Sequence, residues 1–189
     1  KKVVIALVAA GACGLALAKA GSLLLEPEIS SAEHLVNRPW IERMPRSDRD
    51  IIGYLVALTT DHGRLGAVGR ASQWRQFAEV FRWALEDERL VAVFPQERMR
   101  AEFQVRTWSC EGEAPAPFEL CLQISRGERS HVLYSMEAWE IDDHTALADA
   151  AGDDATLSRI LTSVTPLGPT AEVPADEFTD APADWFPTD

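Results

Sequence analysis

Residues 72–96 read SQWRQFAEVFRWALEDERLVAVFPQ, and the architecture turns on whether their first half is helix or strand. As a helix, Trp74, Phe77, Ala78, Phe81 and Leu85 form one stripe. Ser72 then stands at the N-cap, and Arg75–Glu79 and Arg82–Glu86 pair at four-residue spacing. As a strand, Phe77, Phe81, Trp83 and Leu85 share a face interrupted by Glu79, and Glu86-Asp87-Glu88 turns the chain into RLVAVF at 89–94. Taken alone, the periodicity leans towards the helix. The neighbours decide the other way, because a meander runs unbroken from residue 50 to 141 only if this stretch joins it. We read a strand.

Working upstream, DIIGYLVALTT (50–60) is rich in branched and aromatic residues and ends in the turn Asp61-His62-Gly63. RLGAVGRAS (64–72) follows, with Gly66 and Gly69 placed for a bend or a close backbone approach within a strand. Downstream of Pro95 the alternation is plain. In MRAEFQVRTWSC (99–110), Ala101, Phe103, Val105 and Thr107 oppose Arg100, Glu102, Gln104 and Arg106. In FELCLQIS (118–125), Phe118, Leu120, Leu122 and Ile124 oppose Glu119, Cys121, Gln123 and Ser125. Arg126-Gly127-Glu128 turns the chain into RSHVLYSMEAWEI (129–141), the last expected strand. Short strands at a spacing of roughly 10–15 residues, joined by tight turns, predict a mainly β fold: an antiparallel meander curled into a small barrel or sandwich.

What flanks the β domain (50–141) differs sharply in character. The first 25 residues, KKVVIALVAAGACGLALAKAGSLLL, predict an N-terminal hydrophobic helix that is a transmembrane anchor or a signal segment. Val3, Val4, Ile5, Leu7, Leu15 and Leu17 are its membrane-facing candidates. Ala18-Lys19-Ala20 fits a cleavage site, and Cys13 after Ala10-Gly11-Ala12 offers a lipid attachment point. Under all three readings the lysines stay on the cytoplasmic side and the remainder is exported, to the periplasm or the cell surface. Residues 26–49 are polar and proline-punctuated, a connector ending in an ordered lead-in around Trp40 and Ile41. Residues 142–165 permit one or two short helices, with Thr156 as a cap before Leu157, Ile160, Leu161 and Val164. Residues 166–189 form an acidic tail with five prolines, expected to be extended and without packing of its own.

Charge bears on partners. The formal net charge is −12, and residues 141–189 alone hold eleven acids against Arg159. Phosphate backbones repel such a surface, so nucleic acid is not an expected partner. Trp185 and Phe186 stand out in the acidic tail as candidate partner-binding residues, since large aromatics supply much of the energy of protein contacts. The competing reading is a tail end that folds back onto its own domain. Export gives Cys110 and Cys121 a meaning as well: an even pair in an oxidising compartment, flanking a Gly- and Pro-containing turn, predicts a disulfide. With Cys121 on the polar face of its strand, that bridge clamps the outside of the hairpin.

Catalytic signatures are missing. No Gly-x-Ser-x-Gly, phosphate-cradling loop, dinucleotide fingerprint or His-Glu-x-x-His occurs. His62 and His144 follow aspartates, and such neighbours point opposite ways on a strand, so they read as surface histidines, like His34 and His131. Glu137 with Glu140, a candidate pair for acid–base work, is what chance places in so acidic a chain, and Asp142, Asp143, Asp153 and Asp154, the candidates for a hard cation, lack the spacing of an EF-hand loop. No catalytic residue, cofactor or metal is therefore expected. Six tryptophans (Trp40, Trp74, Trp83, Trp108, Trp139, Trp185) read first as core filling. The expected function is a membrane-anchored, extracytoplasmic, non-catalytic interaction module, an accessory subunit partnered by other protein subunits. An exported carrier of a small apolar ligand is the alternative. Exported meanders with a short helix after the last strand are similar in order to lipocalin-type carriers. Where those carry Gly-x-Trp near the start, Arg38-Pro39-Trp40 keeps only the tryptophan.

Overall fold

The computed structural model describes residues 32–60, 63–110, 112–141, 158, 178–182 and 185–186. The expected leader helix lies outside them, as do the helices expected at 142–165 apart from Ser158. Among the described residues no helix is long and apolar enough to cross a membrane.

Eight strands follow one another: Arg38–Ile41 (β1), Ile52–Thr60 (β2), Gly63–Ala71 (β3), Gln76–Glu86 (β4), Arg89–Phe94 (β5), Met99–Ser109 (β6), Leu120–Arg126 (β7) and Arg129–Ser135 (β8). Each is antiparallel to the next, and β8 returns to β1 through Ile41↔Tyr134. Every neighbour in sequence is a neighbour in the wall, so the meander closes as a barrel; of the two architectures expected, the sandwich falls away. A ninth, two-residue strand, Thr179–Asp180 (β9), lies parallel to the start of β6 at Met99 and Arg100.

The ambiguous stretch is strand. Phe81 and Trp83 of β4 enter the barrel interior, and the hydroxyl chemistry that suits Ser72 to a helix cap serves a turn instead. Its Oγ accepts from the Trp74 and Arg75 amides at 3.3 and 3.1 Å, while its own amide donates to the Arg75 carbonyl at 2.7 Å. Burial of two large rings outweighs the helical periodicity of the same residues.

Two apolar clusters sit on opposite faces of the wall. Trp40, Leu55, Val68, Phe81, Phe94, Phe103, Val105, Leu122, Ile124 and Leu133 fill the interior. Ile41, Ile52, Tyr54, Val56 and Leu58 lie on the outer face of β1 and β2, packed with Phe118, Trp139 and Ile141. Strand β2 is thus buried on both faces, which is why residues 51–58 form an apolar run without alternation. Three expectations shift accordingly. Alternation puts Phe118 on the inward face with Leu120, but β7 begins only at Leu120, so the pleat does not extend back to it; Phe118 stacks on Tyr134 at 5.3 Å outside the barrel. The last strand stops at Ser135, and Glu137–Trp139 form a 3-10 turn that tucks Trp139 against Phe118. Strand β1 and the buried Ala32 and Leu35 come from the stretch read as connector, because Trp40 is a core residue of the barrel.

Candidate functional site

The two ends of the barrel are built differently, and the difference places the site. At the far end, residues 32–37 run over the opening. Leu35 is fully buried, the Trp40 Nε1–H donates to its carbonyl at 3.0 Å, and the His34 amide donates to Thr107 Oγ1 at 3.4 Å. The loop between β6 and β7 is tied there by the Cys110–Cys121 disulfide, with Cα atoms 5.8 Å apart. Cys121 faces outward as its strand position predicts, yet both cysteines are buried.

At the other end, the mouth, the wall is incomplete. Strand β4 has eleven residues and β5 has six. Their ladder runs only from Arg82↔Val93 to Glu86↔Arg89. Gln76–Phe81 therefore has β3 on one side and, among the described residues, no strand on the other. Here β3 and β4 approach unusually closely: a Cβ on Gly69 would sit 1.9 Å from the Phe77 carbonyl oxygen, so only glycine fits, as the pattern at 64–72 anticipates. Along this gap lies a cleft of about 860 Å³, lined by Val68–Arg70 of β3, Gln76–Glu79 of β4, Ile51, and Trp185 and Phe186.

Those last two residues come from the tail. The Thr179 and Ala181 amides donate to the carbonyls of Arg98 and Arg100 at 3.0 and 2.9 Å. Arg126, at the end of β7, donates to the carbonyls of Ala181 at 2.6 Å, Trp185 at 2.8 Å, and Pro182. One guanidinium, with its fork of five donors, gathers three carbonyls of a segment more than fifty residues away. Held so, Trp185 meets the Phe94 ring edge-on at 5.0 Å, and Phe186 is buried between Phe103 and His131 at 5.6 and 4.4 Å. Of the two readings of the tail's aromatic end, the structure shows the fold-back: Trp185 and Phe186 pack on their own barrel. Trp185 and Phe186 thus sit at the mouth of their own domain, and His131 is a stacking partner, not a solvated histidine.

Around the cleft the surface is apolar and basic. Among the described residues four large hydrophobic side chains are exposed, and three of them are here: Trp74 at 67%, Phe77 at 64% and Ile51 at 44%. Phe77 belongs to the inward face of β4 by parity but projects beyond the end of β5. Ile51 and Trp74 share an adjoining hollow of about 340 Å³ with Arg49 and Arg75. No carboxylate among the described residues pairs with Arg49, Arg70 or Arg75, whereas Arg43 is bound by Asp50. That hydrogen bond, with another from the Arg46 amide, holds the Asp50 carboxyl well below the usual carboxylate range.

Glu79 is the anomaly inside the cleft. Its Oε2 is shielded from solvent and accepts no hydrogen bond among the described residues. Burial, and secondarily the negative charge of Glu97, push its carboxyl above the ordinary value. Glu79 was visible in the sequence as the interruption between Phe77 and Phe81 on one strand face. Arg126 carried no such signal, being one charged residue in a turn, and nothing in the local pattern marks Trp74 as exposed.

The other candidates lie apart. Glu140 pairs with the buried Arg38 at 3.3 Å at the far end, a structural contact. His62, His144, Asp142, Asp143, Asp153 and Asp154 lie outside the described residues, as do Val3, Val4, Ile5, Leu7, Leu15 and Leu17. No group of three or more metal-ligating side chains occurs among the described residues. No protein-family model, curated protein or solved structure matches the chain. Function is accordingly argued from the mouth of the barrel itself.

Proposed function

We propose that this chain is an extracytoplasmic, non-catalytic interaction module, attached to a membrane by its N-terminal segment with the N-terminus inside, and serving as an accessory subunit of a larger protein assembly. One observation carries the reading: Trp74, Phe77 and Ile51 stand exposed together beside Arg49, Arg70 and Arg75, whose charges no described carboxylate answers. Tryptophan, phenylalanine and arginine are the residue types enriched where protein partners bind, and an exposed apolar cluster at one end of a filled barrel calls for a cover. Unanswered arginines favour an acidic surface on the partner. The Cys110–Cys121 disulfide supports an oxidising compartment, and the acidic body argues against nucleic acid.

The test is a photo-crosslinker at position 74 in the full chain, recovered from its host membrane. We expect one protein subunit captured in stoichiometric yield, and loss of that companion in Trp74→Ala while the barrel stays folded by circular dichroism. A chain recovered alone, uncoupled to protein, sinks the reading. A second reading, a carrier of a small ligand, is favoured by the cleft of about 860 Å³, a size within the range of small-molecule sites. Native mass spectrometry separates the two, since a carrier keeps a small molecule where an accessory subunit keeps a protein.

A further inference from the structure

We propose that the mouth cleft is a binding site for an ammonium group carried on an apolar stem, with Glu79 as its counter-ion and Phe77 and Trp185 among its walls. The site goes beyond the docking patch, since it makes a chemical demand that Trp74 and its arginines do not.

Three observations converge. The first is the carboxylate. An acceptor oxygen out of solvent with no donor is costly, and a charged one more so, unless a cation supplies the missing bond. Among the described residues no ion pair supplies it: Arg70 lines the same cleft but forms no ion pair with Glu79, and the charge that shifts the carboxyl is another negative one, Glu97. The second is the wall. Phe77, Trp185 and Phe186 all line the cleft, and aromatic faces attract ammonium and guanidinium groups through the ring quadrupole. The third is the remaining lining. Beside Gly69, Arg70 and Gln76 it contains Val68, Ile51 and Ala78, whose apolar side chains offer a hydrocarbon stem a surface but a bare metal ion no ligands. A hard divalent cation needs six or more oxygens, so the one carboxylate that lines the cleft does not make its site.

The same chemistry has two sources: a free amphiphilic amine, or a lysine side chain presented by a protein. Calorimetric titration of the full chain in nonionic detergent separates them. The probes are hexylammonium, hexanoate as the same stem with the opposite charge, and an acetylated Leu-Lys-Leu amide. Hexylammonium is expected to bind at one per chain and hexanoate at least roughly tenfold more weakly. Glu79→Gln should cost the cationic probes roughly tenfold in affinity, which is about 1.4 kcal/mol. Glu79→Asp, which keeps the charge on a shorter arm, should keep part of the affinity. Tighter binding of the peptide than of hexylammonium assigns the site to a partner's lysine, and the reverse assigns it to a free amine. Equal affinity for hexylammonium and hexanoate, indifference to Glu79→Gln, or no binding of either cationic probe overturns the proposal. Trp74→Ala should leave these titrations unchanged. Failure here is thereby told apart from failure of the docking reading, which Trp74 reports.

Discussion

The far end of the barrel and its mouth are closed by opposite means. At the far end a covalent bond ties the β6–β7 loop, Leu35 and Trp40 are fully buried, and their backbone and indole groups are hydrogen-bonded. At the mouth, one arginine and a two-residue ladder hold a tail across a wall that β5 is too short to complete. The contrast follows from strand lengths. Where both neighbours of a strand run its full length, backbone groups are paired and side chains dovetail. Where β4 outruns β5, the last residues of β4 keep inward parity without an inside to point into, and Phe77 is left exposed. The covalent tie and the exposed apolar side chains therefore lie at opposite ends of the barrel axis, with the costly exposed groups at the end that is least tied down.

The largest effect should come from cutting the far end's covalent tie. Replacing Cys110 and Cys121 by alanine, which frees a loop whose ends are eleven residues apart, should lower unfolding free energy by about 3 kcal/mol in urea. The wild type in reducing agent should unfold at the same denaturant concentration as the variant. If the two ends are independent, Trp185 fluorescence below the transition stays as in the wild type. A native-state change at Trp185 would show that the ends are coupled and break the comparison.

Arg126→Ala attacks the mouth. Removing the donor to three carbonyls should cost about 1–2 kcal/mol, less than three buried bonds would, because the freed carbonyls can turn to water. Hydrogen exchange locates the loss. The Thr179 and Ala181 amides, which donate to Arg98 and Arg100, should lose protection, while Leu122 and Val105 at the barrel wall keep theirs. Equal loss at both places would mean that the tail is a structural member of the barrel and not a clasped segment.

These two ends were not equally legible in the sequence. Strand β6 could be read residue by residue: Ala101, Phe103, Val105 and Thr107 are buried, while Arg100, Glu102, Gln104 and Arg106 face out, because an antiparallel wall with one wet face imposes period two. The disulfide followed from the parity of two cysteines around a turn. Strand β1 hid inside a polar connector, because four residues containing a proline are too short to show a period. The outer cluster on β2 was invisible for a different reason, since a run buried on both faces looks the same whatever covers it. The mouth depended on facts that no local window contains: the unequal lengths of β4 and β5, and an arginine reaching a tail more than fifty positions downstream. Glu79 left a trace as a charge on the inward face of a strand, beside Gly69 as a close-approach glycine and Trp185 and Phe186 as large aromatics in an acidic tail. Such a break in a pattern otherwise obeyed is where function is to be sought.

The smallest effect is also the most specific to the mouth. Glu79 titrates above its ordinary value of 4.5 in the folded chain, chiefly through burial and then through Glu97. A carboxyl raised by folding binds its proton more tightly in the native state. The ionised form therefore costs stability above the folded value, and the cost vanishes below the unfolded one. Glu79→Gln should then melt slightly higher than the wild type at neutral pH, with the gap closing as pH falls through the folded value towards 4.5. Asp50 works in the opposite sense: its carboxyl is depressed by Arg43, so its contribution is present at neutral pH and lost on acidification. Because Asp50 is common to both proteins, it drops out of their difference, and the gap between the two melting curves reports Glu79 alone. A gap that is absent at neutral pH, or that widens on acidification, would mean that the cleft already neutralises this carboxylate and that the mouth is as well satisfied as the far end.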